Sequence, residues 1–316
     1  MDDYIQWLKQ SNEPIFEAGG AYWRSYQDAL IPASLKPQPV ELTRAQANQL
    51  LERSGALFLR YFSTISEKPT DFWYTACTEY NFKKVPQKLR TQVRRAYKDC
   101  RVELVDASWL SENGYQCYAN SFTRLRSAQP DLRVEFDQMC RGAERGPFEF
   151  WGVFVANKLV GFNKYVVGAD YAAGVVLKLD PEYLYLNPAL AMEDTILNKY
   201  VAEQGKSVTI GFRSVLQETN RQRFLQQFGY RRIYCDLKLV YKPSLKAAVK
   251  LSYPFRALLD RIPKSEWNSK IRALLAQEAI RRSFNPDGKR AARWREPILY
   301  RIARSIWGNH YGTTLK

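Results

Sequence analysis

The sequence predicts a mixed α/β fold of the α+β kind: a central mixed sheet flanked by helices, followed by a basic helical extension. Three observations predict it. β-Rich and helical runs alternate between Ala56 and Tyr241. A content of 46% hydrophobic and 14% aromatic residues suffices for an ordinary core and excludes a disordered chain. The charge is uneven, with 17 basic against 5 acidic residues from Tyr241 to Lys316, which is +12 of the total +16. At 316 residues there is room for one large domain or two modest ones.

In chain order, Gly19, Gly20 and the proline-spaced stretch Pro32 to Pro39 precede a helical pattern that Thr43 caps and Gly55 ends. The aromatic and β-branched runs Ala56 to Phe62 and Asp71 to Phe82 read as two strands, expected to form a hairpin around Lys68 and Pro69. After Pro86, apolar residues at Leu89, Val93, Ala96 and Tyr97 have helical spacing, and Arg101 to Asp106 alternates as a strand. A helix is expected from Ser111 to about Ser127, and irregular chain from Gln138 to Arg145. Phe148 to Gly168 reads as a hairpin turning at Asn157 and Lys158. Then follow a strand from Ala172 to Asp180, a helix from Pro188 to Gln204, a strand from Ser207 to Phe212, a short helix from Asn220 to Gly229 and a strand from Arg231 to Tyr241.

Several function classes fall away. The five cysteines, Cys77, Cys100, Cys117, Cys140 and Cys235, are odd in number and lack C-x-x-C spacing, so neither a disulfide framework nor a zinc site is expected. Cys235 has no histidine near it in sequence and reads as packing. The only histidine, His310, lies in the tail, so a histidine base inside a core and a multi-histidine metal site are both excluded. No apolar run reaches the ~18 residues of a spanning helix, and the start MDDYIQWLKQ has no secretory pattern, so a cytoplasmic protein is expected.

Three stretches carry a family resemblance: VPQKLRTQVRRAYKDCRVELVD, FWGVFVANKLVGFNKYVV and TIGFRSVLQETNRQRFLQQFGYRRI. In their order and spacing they resemble the GNAT acyltransferase superfamily and, within it, the Fem-like branch of cell-envelope transferases, from about Gly55 to Tyr241. The resemblance implies a GNAT-like sheet at 55–241, an N-terminal segment at 1–54 and a basic amphipathic extension at 242–316. It also implies acyl or aminoacyl transfer to an amine of a cell-envelope or polysaccharide precursor. An acyl donor and an amine acceptor are then the partners, without a tightly bound cofactor or a metal. Acetyl-CoA-binding members carry a glycine-rich pyrophosphate loop, R/Q-x-x-G-x-G/A, where this chain reads EYLYLNPALAMED. That departure points from acyl-CoA toward aminoacyl-tRNA or another acyl carrier. Where many members keep a tyrosine on the short helix, this chain has Leu225.

Acyl transfer needs a polarised carbonyl, which a splayed pair of parallel strands supplies through a free backbone amide. The residues expected at such a cleft are Asp180, Arg213 and Ser214 in catalysis, with Lys178, Asn187 and the backbone donors of Ala189 and Leu190 on the donor. Arg213 leads, because a guanidinium at a strand end binds phosphate or carboxylate bidentately. Its alternative is a surface ion pair. Lys178 and Asp180 read equally as a solvent-facing strand end before Pro181, and Tyr230 reads as structural. Arg90, Arg94, Arg95 and Lys98 form a basic stripe that meets either solvent or a pyrophosphate or tRNA backbone. In the tail, Pro254 to Ile262, Ser269 to Phe284 and Arg295 to Gly308 pair apolar stripes with basic residues. This pattern suits an anionic inner-membrane surface or packing on the domain, with nucleic acid also open. The alternative to an enzyme is a catalytically inactive module that binds anionic lipid or RNA.

Overall fold

The computed structural model describes residues 2–123, 129–215, 221–259 and 266–284. They form two mixed sheets with helices on their faces. The chain opens with α1 (Asp3–Gln10), β1 (Ile15–Ala18), β2 (Ala21–Tyr26), β3 (Ala29–Pro32), α2 (Arg44–Ser54) and β4 (Phe58–Tyr61). Gly19 and Gly20 close the β1–β2 hairpin at φ 62° and 69°, the left-handed geometry a two-residue turn requires. α2 starts with the expected Thr43, in a capping box with Gln46, and ends at Gly55 with φ 73°. It connects β3 to β4, which pair in parallel.

β5 (Phe72–Cys77) begins the larger sheet, so the expected hairpin does not form. β4 pairs in one sheet and β5 in the other. Next come α3 (Gln87–Asp99), β6 (Cys100–Val105), α4 (Ala107–Asn113), α5 (Tyr115–Asn120) and α6 (Arg133–Ala143). The expected helix from Ser111 is thus two short ones, and the stretch from Gln138 that reads as irregular lies largely in α6, whose Phe136, Cys140 and Ala143 are buried. β7 (Phe148–Val155) and β8 (Lys158–Val167) form the expected hairpin, followed by β9 (Tyr171–Leu179), a 3₁₀ turn at Pro181–Leu186 and α7 (Pro188–Leu197). α7 passes into a π-helical turn at Asn198–Glu203, then β10 (Ser207–Phe212), α8 (Arg221–Gln227), β11 (Arg231–Cys235) and β12 (Lys238–Tyr241).

The larger sheet has the order β11-β5-β10-β9-β8-β7-β6, in which only β9 and β10 run parallel. α3, α7 and α8 cover one face, where Val93, Ile196, Tyr200, Leu225 and Phe228 are fully or nearly fully buried. α4, α5 and α6 contribute to a second cluster around Phe136 and Phe162. A fully buried Leu or Phe contributes roughly 1.5–3 kcal/mol, so these clusters hold the sheet rigid. The smaller sheet, β1-β2-β3-β4-β12, joins strands from both sides of the boundary that the sequence suggests at 54.

The strand expected from Arg231 to Tyr241 changes sheets at Asp236, which is 1% exposed. Its carboxylate accepts from Ser63 N (2.8 Å), Ser63 Oγ (2.9 Å) and Thr64 N (3.0 Å) and pairs with Lys238 (3.0 Å). A single side chain thus ties the two crossings between sheets.

After β12 come α9 (Pro243–Ser252), α10 (Arg256–Leu259) and α11 (Glu266–Ser283). The Ser269 to Phe284 segment follows the packing alternative. Leu275 is buried, and Leu274 and Ile280 pack with Phe58 and Leu239. Buried Glu278 takes Arg281 (2.7 Å) and Arg282 (2.6 Å), so the apolar stripe and two of its cations are already engaged within the protein. The stripe from Arg295 to Gly308 and His310 lie outside the described residues. No helix among the described residues is long and apolar enough to cross a membrane.

One buried cation stands out on β8. Lys164 is 8% exposed, with Nζ 4.1 Å from the Phe148 ring centroid. Burial pushes its ammonium down to about 8. Lys164→Met is therefore expected to raise stability at pH 7 by ~1–3 kcal/mol. Above about pH 8 the folded lysine has lost a proton that the unfolded chain still binds, so wild-type stability rises with pH and the advantage of methionine shrinks. Urea unfolding of both proteins across this range checks the sign.

Candidate active site

β9 and β10 pair through Ser207↔Tyr171, Val208↔Ala172 and Thr209↔Ala173, and then separate. Each arm has a local cause. Val175 is an extra residue on β9, because Tyr165 opposes Gly174 while Lys164 opposes Val176. On β10 the register against β5 shifts between Thr209 and Phe212, where Gly211 takes φ 77°. Two bulges bend two neighbours apart, and β9 beyond Ala173 turns an edge of backbone groups that β10 does not pair toward the gap.

α7 borders, with β8, β9 and α8, a cavity of about 170 Å³ lined by Asn163, Leu177, Ala189, Met192, Glu193 and Phe224. Most of that lining is apolar. Glu193 is 6% exposed and accepts a 2.5 Å hydrogen bond from Tyr230 Oη. Burial, reinforced by this carboxylate, raises the Tyr230 phenol well above its ordinary range, so it stays protonated and donates. Asn163 lies opposite Leu177 in the β8–β9 register and is 3% exposed, and its Oδ1 has no hydrogen-bond partner.

The rest of α7 holds Glu193 in place. Neighbouring Asp194 points toward α3 and accepts from Tyr80 Oη, from Tyr97 Oη (2.8 Å) and from Asn198 Nδ2 (3.2 Å). Successive helical residues are rotated by a little over a quarter turn, which lets two adjacent acids serve opposite walls. One anchors the helix and the other faces the cavity.

Of the residues expected at the cleft, Ala189 lines the cavity and Leu190 is a buried residue of α7. Asn187 takes the left-handed conformation, φ 57°, and makes no side-chain cap; its Nδ2 donates to Tyr185 O (3.3 Å). Lys178 lies opposite Phe162, on the face away from the cavity, with Nζ 3.6 Å from the Phe122 ring centroid. Asp180 is buried, accepts from Glu182 N (3.1 Å) and Asn120 Nδ2 (2.8 Å), and so closes the 3₁₀ turn. Arg213 lies against Trp73 at the tip of the β10 arm, and Ser214 is exposed. On α3, Arg94, Arg95 and Lys98 face solvent while Arg90 is half-buried. Burial pushes the Cys235 thiol up to about 12, which suits packing.

Asn163 and Glu193 are not among the residues that the sequence singles out, and Tyr230 reads there as structural. The available signal was a pair of carboxylates, Glu193 and Asp194, inside an otherwise apolar helix, and one asparagine within the apolar run of β8. Leu225, at the position where the family resemblance looks for a tyrosine, is a core residue. The phenol beside the cavity comes instead from Tyr230.

Gly174 sits where the arms part. An added Cβ would meet Ile210 Cδ1 at 2.9 Å and Tyr165 Cζ at 3.2 Å. Gly174→Val is expected to destabilise by ~1–3 kcal/mol through overpacking, with the loss read from chemical denaturation.

No protein-family model matches the sequence, and no curated protein is similar to it. Solved structures are similar in three dimensions. The C-terminal domain of a putative lysylphosphatidylglycerol synthetase from Agrobacterium fabrum has a TM-score of 0.53 at 11% identity, over 79% of this chain and 90% of that one. FemX has a TM-score of 0.49 at 10% identity, over 73% and 88%. L-PGS from Bacillus licheniformis has 0.49 at 9%, over 88% and 96%. At 11% identity the likeness to the Agrobacterium domain is one of fold. The fold is GNAT-like, as the three sequence stretches imply.

Proposed function

We propose that this chain is an acyl or aminoacyl transferase that forms an amide in the cleft between β9 and β10. Its acceptor is a primary amine of a cell-envelope or polysaccharide precursor. The observation that carries the reading is Glu193, a buried carboxylate held by Tyr230 at the wall of a cavity that the diverging part of β9 helps to line. A cavity with a carboxylate and an unpartnered carboxamide oxygen among apolar side chains complements N–H donors, so it suits an ammonium or amine.

The acceptor ammonium gives a proton to Glu193, and the freed lone pair attacks the donor carbonyl, forming the C–N bond. The edge amides of β9 beyond Ala173 receive the developing oxyanion. Collapse breaks the C–O or C–S bond of the donor, the leaving atom takes the proton back from Glu193, and the freed carboxylate accepts the second proton of the new amide nitrogen and passes it to solvent. Asn163 orients the amine through its carboxamide oxygen.

The start of α7 favours aminoacyl-tRNA or another acyl carrier over acetyl-CoA. Pro188 has no N–H, Leu190 N donates to Asn187 O (2.9 Å), and no glycine lets a pyrophosphate approach the backbone. Incubation with charged tRNA, acetyl-CoA and longer acyl-CoAs, each with amine acceptors, tests the reading by mass spectrometry. An amide product from at least one donor is expected; no product and no thermal stabilisation by any of them would defeat it.

A further inference from the structure

Outside the cavity, the tip of the diverging arm carries a second cluster. Trp73 of β5 lies opposite Tyr234 of β11, and Arg232, two residues before Tyr234, shares its face of the sheet. Arg213, directly after β10, donates its backbone N–H to Trp73 O (3.0 Å). Both guanidinium groups meet on the one indole. Arg213 Cζ lies 4.5 Å and Arg232 Cζ 4.6 Å from a centroid of Trp73.

These cations are incompletely matched. Arg213 donates Nε to Ser214 O (3.2 Å) and Nη1 to Asp71 O (2.9 Å). Arg232 Nε and Trp73 Nε1 are buried donors without an acceptor. Neither arginine pairs with a carboxylate among the described residues. Two like charges on one ring repel, and buried donors without acceptors cost stability. An anion shared between them removes both penalties.

We propose that Arg213, Arg232 and Trp73 form a binding site for a phosphate group carried by a substrate of the transfer reaction. A carboxylate offers two coplanar oxygens, enough for one guanidinium fork. A phosphate directs its oxygens tetrahedrally and serves two forks and an indole N–H together. The inference rests on the transfer reading only in assigning the phosphate to a reactant, since the cluster stands at the tip of the arm that opens the cleft.

Calorimetric titration of the full chain with inorganic pyrophosphate tests it, alongside sedimentation with phosphatidylglycerol and with phosphatidylcholine vesicles. Wild type is expected to bind pyrophosphate, Arg232→Ala to bind it roughly 10- to 100-fold more weakly, and Arg232→Lys to recover only part of that loss. Trp73→Phe, which keeps a ring and removes the indole N–H, should weaken binding by a smaller factor and covers the case in which Arg232→Ala fails to fold. Retention on phosphatidylglycerol vesicles that Arg232→Ala abolishes assigns the phosphate to a lipid headgroup; pyrophosphate binding alone assigns it to a soluble reactant. Glu193→Gln should bind pyrophosphate as wild type does, so failure of this site and failure of the transfer reading are separable. Absence of pyrophosphate binding at millimolar concentration, or equal binding by wild type and Arg232→Ala, would overturn the proposal.

Discussion

Glu193→Gln is expected to lower the rate of acyl transfer by roughly 10²- to 10⁴-fold, the usual contribution of a positioned proton acceptor. The substitution is nearly isosteric, and the glutamine Oε1 can still accept from Tyr230 Oη at the position now bonded at 2.5 Å. Stability should therefore change by only ~1 kcal/mol, because a neutral hydrogen bond replaces a charge-assisted one. Glu193→Leu separates the two roles. It also leaves the buried phenol without an acceptor and should cost a further ~1–3 kcal/mol in urea unfolding. Loss of turnover in both variants, with loss of stability concentrated in the leucine one, is the pattern this site predicts.

Asp236→Ala is expected to have the largest effect on folding. Asp236 accepts three hydrogen bonds from Ser63 and Thr64, and its backbone N–H donates to Thr64 O (3.1 Å). Alanine leaves the Ser63 and Thr64 amides without their acceptor at the place where the chain passes between sheets, and removes the partner of Lys238. A loss of about 3–5 kcal/mol follows, measured as a fall in the denaturation midpoint. Asp236→Asn keeps an acceptor of the same shape and should recover part of that loss.

The larger sheet was legible in the sequence because its strands are long and carry their own turn residues. β7 and β8 run 8 and 10 residues around Ala156 and Asn157. The smaller sheet was not. β1 and β3 have four residues each, too few to show a period, and β4, legible as a strand within Ala56 to Phe62, pairs with β3 across α2 and with the distant β12. The change of sheet at Asp236 was hidden for the same reason, since RRIYCDLKLVY reads as one strand unless the buried carboxylate is recognised as a junction.

At the candidate site, the strands and the helix that follows β9 were legible, and the side chains that line the cavity were not. Sequence reasoning places polar residues at strand ends, so it selected Lys178 and Asp180. Pleating turns Lys178 to the far face, and Asp180 closes a turn. The acid that faces the cavity comes instead from the middle of α7. There the apolar helix carries Glu193, to which Tyr230 donates.

In the proposed reaction Glu193 takes the proton from the acceptor amine. The most direct measurement of this step is the pre-steady-state rate of amide formation in wild type and Glu193→Gln, with the donor that supports transfer at saturating concentration. The wild-type rate should rise with pH as the acceptor ammonium loses its proton. The glutamine variant should be slowed at least a hundredfold, with its fold and its pyrophosphate binding intact. Equal rates in the two proteins would contradict this role of Glu193.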